Sequence, residues 1–245
     1  MEPPDTPAVV ATDESAGLIA PIPSKADVFR PIASYWHTAL VLGVQGLLVF
    51  RGKTRMAHLG LDSVYRPAIY ERTMLFEWAL LGLVLVGVWW HGSSLLAVLG
   101  ERWRSPWQFL RDLGIGLLFL MVTITTGSML SHGGDNSATQ LLLPRGRTEM
   151  WLWVALSISA GICEEALFRG YLQRQFIAIT GNIAAGIILS AAAFGAAHGY
   201  QGWARALQIA LLGAMGGVLA YWRKSVRPGM FAHALQDILG GMMRH

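Results

Sequence analysis

The composition of this 245-residue chain is that of a membrane protein, since 53% of its residues are hydrophobic and only 14% are charged, against about a quarter in soluble domains. The net charge of +4 comes from basic residues scattered between apolar runs, without a clustered basic face, which excludes a nucleic-acid partner. A single cysteine, Cys163, excludes an intrachain disulfide and a thiolate metal cluster.

The chain begins with a segment rich in proline, alanine, aspartate and serine. This segment lacks the charged stretch followed by an apolar core that marks a secretory signal peptide. Its composition is typical of disorder, because it offers too little apolar surface to offset the entropy lost on folding. We therefore predict a disordered N-terminal tail over residues 1–32.

Three apolar runs follow the tail, and polar loops rich in basic or turn-forming residues separate them. The runs cover residues 33–50, 73–90 and 109–130. Each approaches or exceeds the length of about 20 residues that a membrane-spanning helix needs. Tyr35 and Trp36, near the start of the first run, are typical of the membrane interface. Residues 33–149 are predicted to form an N-terminal region of transmembrane helices.

From residue 150 the apolar stretches follow one another more closely, at 150–163, 183–197, 206–222 and 230–243. The first is predicted to continue as a helix to Ile179, because no proline interrupts it, and to end at Gly181 and Asn182. These runs do not alternate as the strands of a membrane barrel would. The predicted fold class is therefore all-α, a polytopic transmembrane bundle of about seven to eight helices.

Small residues at four-residue spacing predict where these helices approach one another closely. Gly213 and Gly217 form one such pair, and Gly186 and Ser190 form another. Small side chains at this spacing allow two helix backbones to come into contact inside a membrane.

The stretch "GICEEALFRG" places ionisable side chains inside an apolar run, where such groups are rare and mark function. Arg169 follows Glu165 by four residues, so the two can pair along one helix face. Glu164 lies about 100° around the helix from Glu165 and has no local partner. An unpaired carboxylate in apolar surroundings suits a general base, so Glu164 is the predicted catalytic residue and Glu165 and Arg169 its supporting pair.

Two further polar clusters lie on later helices. His198 closes the stretch "SAAAFGAAHG", and Phe194, four residues earlier, is placed to wall the site that holds the imidazole. His233 and Asp237 are also four apart and share a face, so Asp237 can orient the His233 ring or both can face the substrate. One free carboxylate and two imidazoles can hold and deprotonate a water, directly or through a metal.

The other histidines lie at the ends of runs or in loops. They are expected to meet water or lipid headgroups rather than to act in a site. They are His37, His58, His91, His132 and His245.

In these motifs the sequence resembles the CPBP family, the CAAX-processing and bacteriocin-processing membrane proteases. The pattern is a double Glu followed by Arg, then Phe-x-x-x-His, then His-x-x-x-Asn or Asp, here "EEALFR", "FGAAH" and "HALQD". The flanks "FRGYL" and "RPGMFAHAL" also resemble those of the family. The resemblance covers about residues 150–241 and implies a catalytic transmembrane core over 150–245 with the CAAX type 2 protease fold.

The resemblance also implies roles. Glu164 matches the glutamate that activates the attacking water, and His198 the histidine that holds it. His233 and Asp237 match the pair assigned to the oxyanion or to placing water or metal, while Glu165 and Arg169 match supporting residues. Glu164, His198 and His233 are a reasonable set for Zn²⁺, if a metal is bound. Because Asp237 stands where the family also accepts Asn, its negative charge favours metal placement or orientation of His233 over an oxyanion role.

The implied function is an intramembrane metalloendopeptidase or glutamate protease in the membrane of a bacterium or archaeon. Its substrate would be a peptide or a protein, prenylated or not, cleaved near the bilayer surface among membrane lipids. The alternative is a non-catalytic membrane scaffold, or a proton- or ion-coupled carrier that uses the same buried Glu, His and Asp residues. A polar cavity joining Glu164, His198 and His233 would favour the protease, whereas side chains pointing apart would contradict it.

Overall fold

The computed structural model describes residues 28–57, 65–100, 102–130 and 137–243. The predicted disordered tail lies outside the described residues as far as residue 27. Within the described ranges the chain forms helices and no strand. The helices are α1 (Tyr35–Ala57), α2 (Arg66–Trp90), α3 (Leu96–Leu99), α4 (Pro106–Leu130), α5 (Ser137–Leu142), α6 (Arg147–Thr180), α7 (Ile183–Ala197), α8 (Trp203–Arg223) and α9 (Arg227–Met242).

This architecture confirms the predicted all-α fold. Each of the seven apolar runs corresponds to one long helix, and α7 has the bounds of its run. The other helices extend beyond their runs by several residues at one end or both, because polar and basic residues can continue a helix once it has left the apolar layer. The run pattern missed α3 and α5, which are too short to produce a periodic signal. The division between two regions at residue 149 stays a prediction.

Helix α6 carries the double glutamate and changes its winding there. Its segment Glu165–Leu172 is π-helical, and all eight of its residues are buried. A β-carbon at Gly170 would overlap the backbone carbonyl of Val98, so this glycine lets α3 lie directly on the π segment. Gly181, with φ of +61°, ends the helix as predicted. π-Helical turns are rare and occur often at functional sites, so this segment marks the place to search for one.

Close packing surrounds α6. Helix α9 lies against both α6 and α4, and α8 lies against α7. The predicted close approaches are present: a β-carbon at Gly213 would meet the Phe194 ring, and one at Gly217 the Gln173 side chain. The Ser190 hydroxyl donates to the Phe168 carbonyl at 2.6 Å. Small residues therefore bring α7 and α8 directly against α6.

Four of the described helices are long and apolar enough to cross a membrane, namely α2, α4, α6 and α8. Helix α7 is apolar but shorter. Helices α1 and α9, which the apolar runs also predicted as spans, are not among the four. Large apolar side chains such as Leu118, Ile188 and Trp222 are exposed on the outside, as expected where lipid replaces water. The chain is an integral membrane protein.

The segment before α1 is tied into the core. The Gln175 side chain accepts from the backbone N–H of Ile32 at 2.8 Å and donates to the Ala33 carbonyl at 2.9 Å. His37 differs from the expectation in its surroundings, because it is half-buried, with its Nδ1 2.7 Å from the Tyr171 hydroxyl and its Nε2 3.0 Å from the Leu83 carbonyl; that it does not act in a site stays a prediction. Helices α6 and α2 thus supply hydrogen-bond partners for the His37 imidazole. His58, His132 and His245 lie outside the described residues.

Candidate active site

The predicted pair between Glu165 and Arg169 is present. Arg169 Nη1 lies 2.9 Å from Glu165 Oε1, with both side chains almost completely buried. The guanidinium also lies 4.1 Å from the centre of the Phe194 ring and donates through Nη2 to the Gly213 carbonyl. These contacts hold both charges inside an apolar setting, because a buried ion pair needs further partners to offset its desolvation.

His233 lies among three carboxylates. Its Nδ1 is 3.4 Å from Glu165 Oε1, and its Nε2 is 3.7 Å from Glu164 Oε2 and 3.5 Å from Asp237 Oδ2. The pairing of His233 with Asp237 follows from their four-residue spacing. The contact of His233 with Glu165 does not follow from any spacing along the chain. It shows that Glu164 and Glu165 do not face fully different surroundings, as their positions around the helix had predicted. Both meet the same imidazole.

His198 follows the last residue of α7, so its backbone leaves the helix while its ring stays near it. Its Nδ1 lies 2.9 Å from the Phe194 carbonyl. A carbonyl can only accept, so Nδ1 carries the proton and Nε2 presents a lone pair in the neutral ring. Phe194 contacts the ring edge-on at 4.8 Å, as predicted, and Tyr200 stacks on it at 6.3 Å.

A cavity of about 520 Å³ joins several of these groups. Glu164 and His198 both border it, together with Glu77 and Tyr200. Its remaining walls are mostly apolar and come chiefly from α1, α2 and α6, with one residue each from α5 and α7, and with Arg51 and Arg72 also on its lining. His233 and Asp237 do not line it, so the predicted cavity joins two of the three groups and His233 reaches it only through Glu164.

Two lining residues were missed by the sequence argument. Glu77 interrupts the apolar run of α2 in "MLFEWAL", which is the same signal that singled out Glu164. Its Oε2 accepts from the Ser159 hydroxyl of α6 at 2.7 Å. Tyr200 carried no signal, because a tyrosine just after an apolar run is ordinary at a membrane interface. Burial raises the pKa of Tyr200 to about 12, so its hydroxyl keeps its proton.

The predicted zinc ligands do not converge. No group of three or more His, Cys, Asp or Glu side chains that could hold a metal ion occurs in the part of the chain that the structure describes. Glu164 and His233 are close, but both ring nitrogens of His233 already face carboxylates. This arrangement does not fit a metal held by Glu164, His198 and His233, and the zinc set stays a prediction.

Comparison with known protein families shows what the segment that carries these residues is similar to. Residues 146–239 match the family model described as type II CAAX prenyl endopeptidase Rce1-like. We call this segment the Rce1-like domain, after the family model that it matches. The domain contains Glu164, His198, His233 and Asp237, which confirms the resemblance that the motifs predicted. Glu77 lies outside it. No curated protein and no solved structure matches the chain. Over this segment the chain is similar to type II CAAX prenyl endopeptidases.

Proposed function

We propose that the chain is an intramembrane endopeptidase in which Glu164 activates the attacking water. One observation carries the proposal: the Glu164 side chain borders a cavity that His198 also borders, and its Oε2 lies 3.7 Å from His233 Nε2 but accepts no hydrogen bond in the described structure. A carboxylate with so few polar contacts is costly to bury unless it is used. A water in the cavity can supply the hydrogen bond that the Glu164 carboxylate lacks.

The first step is deprotonation of water. A water between Glu164 and His198 donates one hydrogen to the Glu164 carboxylate and the other to Nε2 of the neutral His198 ring, since both are acceptors. In that neutral ring, the Nδ1–H bond to the Phe194 carbonyl leaves Nε2 as the acceptor. As the water oxygen attacks a peptide carbonyl, Glu164 takes its proton, and it then delivers that proton to the leaving amine.

His233 and Asp237 act on Glu164 rather than on the water. Because His233 Nε2 lies 3.7 Å from Glu164 Oε2 and 3.5 Å from Asp237 Oδ2, the imidazole limits the positions that the Glu164 carboxylate can take. Asp237 keeps the ring oriented, which is the role that its negative charge allows. The pair Glu165–Arg169 holds His233 from the other side through Glu165.

The substrate that we propose is a peptide segment with apolar side chains, because the cavity walls beyond Glu164 are mostly apolar. A prenylated C-terminal CAAX tail fits this description, as does an unmodified apolar segment. Fluorogenic CAAX peptides with and without a farnesyl group, presented to the purified chain in liposomes, distinguish the two. If only the farnesylated peptide is cleaved, the apolar walls of the cavity bind the farnesyl group.

Replacing Glu164 tests the proposal directly. Glu164→Gln keeps the shape of the side chain but cannot accept a proton, so we expect cleavage to fall to background while the melting temperature in detergent is unchanged. Glu165→Gln is the comparison: it should lower the melting temperature, because Arg169 loses its charged partner, and should slow cleavage only in part, because Glu165 acts on His233 and not on the water. Cleavage by Glu164→Gln at the wild-type rate would refute the proposal. The alternative, a proton- or ion-coupled carrier, would be supported if the wild type cleaved no peptide but conducted protons across the same liposomes, and if Glu164→Gln abolished that proton flux.

Removing metal ions with a chelator tests whether cleavage requires a bound metal. Since no step proposed here uses one, dialysis against 1,10-phenanthroline should leave the cleavage rate unchanged. A loss of rate that added Zn²⁺ restores would show that the ligands rearrange around a metal during catalysis.

A further inference from the structure

The predicted groups leave the reaction without a donor for the oxyanion. When water adds to a peptide carbonyl, its oxygen becomes negative and must receive hydrogen bonds. Both ring nitrogens of His233 face carboxylates. The Nδ1–H of His198 donates to the Phe194 carbonyl, and an ionised Asp237 can only accept. None of these groups has an N–H or O–H free to point at the substrate.

Tyr200 has a free O–H in the same cavity. Its hydroxyl oxygen accepts from Gln201 Nε2 at 3.0 Å, and no described residue accepts its proton. The Tyr200 side chain lines the same cavity as the Glu164 and Glu77 carboxylates, which places it beside the site where the substrate carbonyl would lie. A phenol with an ordinary pKa near 10 is protonated at neutral pH, so the group is a neutral donor.

The ring of Tyr200 is held in place. It stacks on the His198 ring with an interplanar angle of 29°, and Gln201 fixes the hydroxyl from the side. The short turn Gly199–Gln201 that carries it is packed against α1 and α8. A donor that is already oriented loses little entropy when the oxyanion forms, which is what makes such groups effective.

We propose that Tyr200 is a further catalytic residue, whose hydroxyl donates a hydrogen bond to the substrate carbonyl oxygen as water adds to the carbon. The proton stays on the phenol throughout, and Glu164 alone exchanges a proton with water and the leaving amine. This inference rests on the proposed peptidase function. It assigns to Tyr200 the role for which Asp237 is unsuited by its charge.

Tyr200→Phe tests it, because the substitution removes the hydroxyl and leaves the ring against His198. We expect kcat for the fluorogenic CAAX peptide to fall about 100-fold, as for removal of one oxyanion donor, with KM and the melting temperature unchanged. Tyr221→Phe is the matched control, since Tyr221 is exposed on α8 and away from the site; its kinetics should equal those of the wild type. Wild-type kcat in Tyr200→Phe, or a change in KM alone, would overturn the proposal.

Binding of a phosphonate peptide gives a second readout that needs no turnover. The tetrahedral anion mimics the oxyanion, so the wild type should bind it more tightly than Tyr200→Phe by a similar factor, whereas the two should bind the uncleaved amide equally. Equal phosphonate affinities would overturn the role of Tyr200. Glu164→Gln separates the two hypotheses. If Glu164→Gln still cleaves at the wild-type rate, the proposed function fails. If Glu164→Gln is inactive while Tyr200→Phe cleaves with the kcat of the wild type, only the role of Tyr200 fails.

Discussion

At the scale of single residues, the site is a set of charges that survive burial by contacting one another. Glu165 and Arg169 are almost completely buried and 2.9 Å apart, and His233 adds a contact to Glu165. Replacing such a pair by apolar groups is often neutral, but removing one member leaves an uncompensated charge. The pair therefore governs stability, while Glu164, whose side chain lines the cavity, is the residue to which we assign the chemistry.

Arg169→Met is expected to destabilise the protein by about 3–5 kcal/mol, the effect of breaking a buried ion pair. Thermal unfolding in detergent measures it. The double variant Glu165→Gln, Arg169→Met should recover part of the loss, because no buried charge then lacks its partner. Arg111→Met is the matched control, since Arg111 is half exposed at 3.8 Å from Asp112 and such pairs contribute little. Equal effects of Arg169→Met and Arg111→Met would contradict this account.

At the scale of helices, the site depends on how closely α6 and α9 pack. Trp153 of α6 donates through its indole N–H to the Asp237 carbonyl of α9 at 2.8 Å. A β-carbon at Gly241 would overlap the Trp153 ring, whereas one at Gly240 would meet nothing within 4 Å. The two adjacent glycines thus differ in their surroundings although they share a sequence context.

Gly241→Ala should destabilise the protein by about 1–3 kcal/mol, the usual effect of overpacking, and should slow cleavage because it displaces the turn that carries Asp237. Gly240→Ala should stabilise it by about 0.5–1 kcal/mol, since alanine loses less conformational entropy in a helix. Melting temperatures and cleavage rates of the two variants provide the comparison. Indistinguishable behaviour would show that α6 and α9 adjust freely to one another.

At the scale of the whole molecule, helices before the Rce1-like domain complete both its core and its cavity. Helices α1 and α2 supply walls of the cavity that Glu164 borders, including Glu77. Gln175 is fully buried and joins α6 to Ile32 and Ala33 before α1 and to Thr38 in the first turn of α1. The two regions should consequently unfold together.

Gln175→Leu tests that coupling. It leaves the Ile32 N–H and the Ala33 carbonyl buried without partners, at about 1–3 kcal/mol for each group. We expect a lower melting temperature with a single cooperative transition. Gln140→Leu, at an exposed position of α5, should change little. Two separate transitions in Gln175→Leu would show that the N-terminal helices fold independently of the domain.

The sequence by itself determined the helices, the class of protein and the residues of the three motifs. Run length, a proline-free stretch and four-residue spacing are local properties, so they predicted the seven long helices, the Glu165–Arg169 contact and the His233–Asp237 contact. A lone carboxylate within an apolar run was an equally local signal, and it could have identified Glu77 as it did Glu164.

Only the tertiary structure decided how these groups meet. The π-helical winding of Glu165–Leu172 depends on burial against several helices. The contact of His233 with both glutamates depends on how closely α9 approaches α6. The position of the Tyr200 ring against His198 depends on the turn that follows α7. No spacing along the chain encodes which faces of two distant helices come into contact, because that choice follows from the packing of all of them at once.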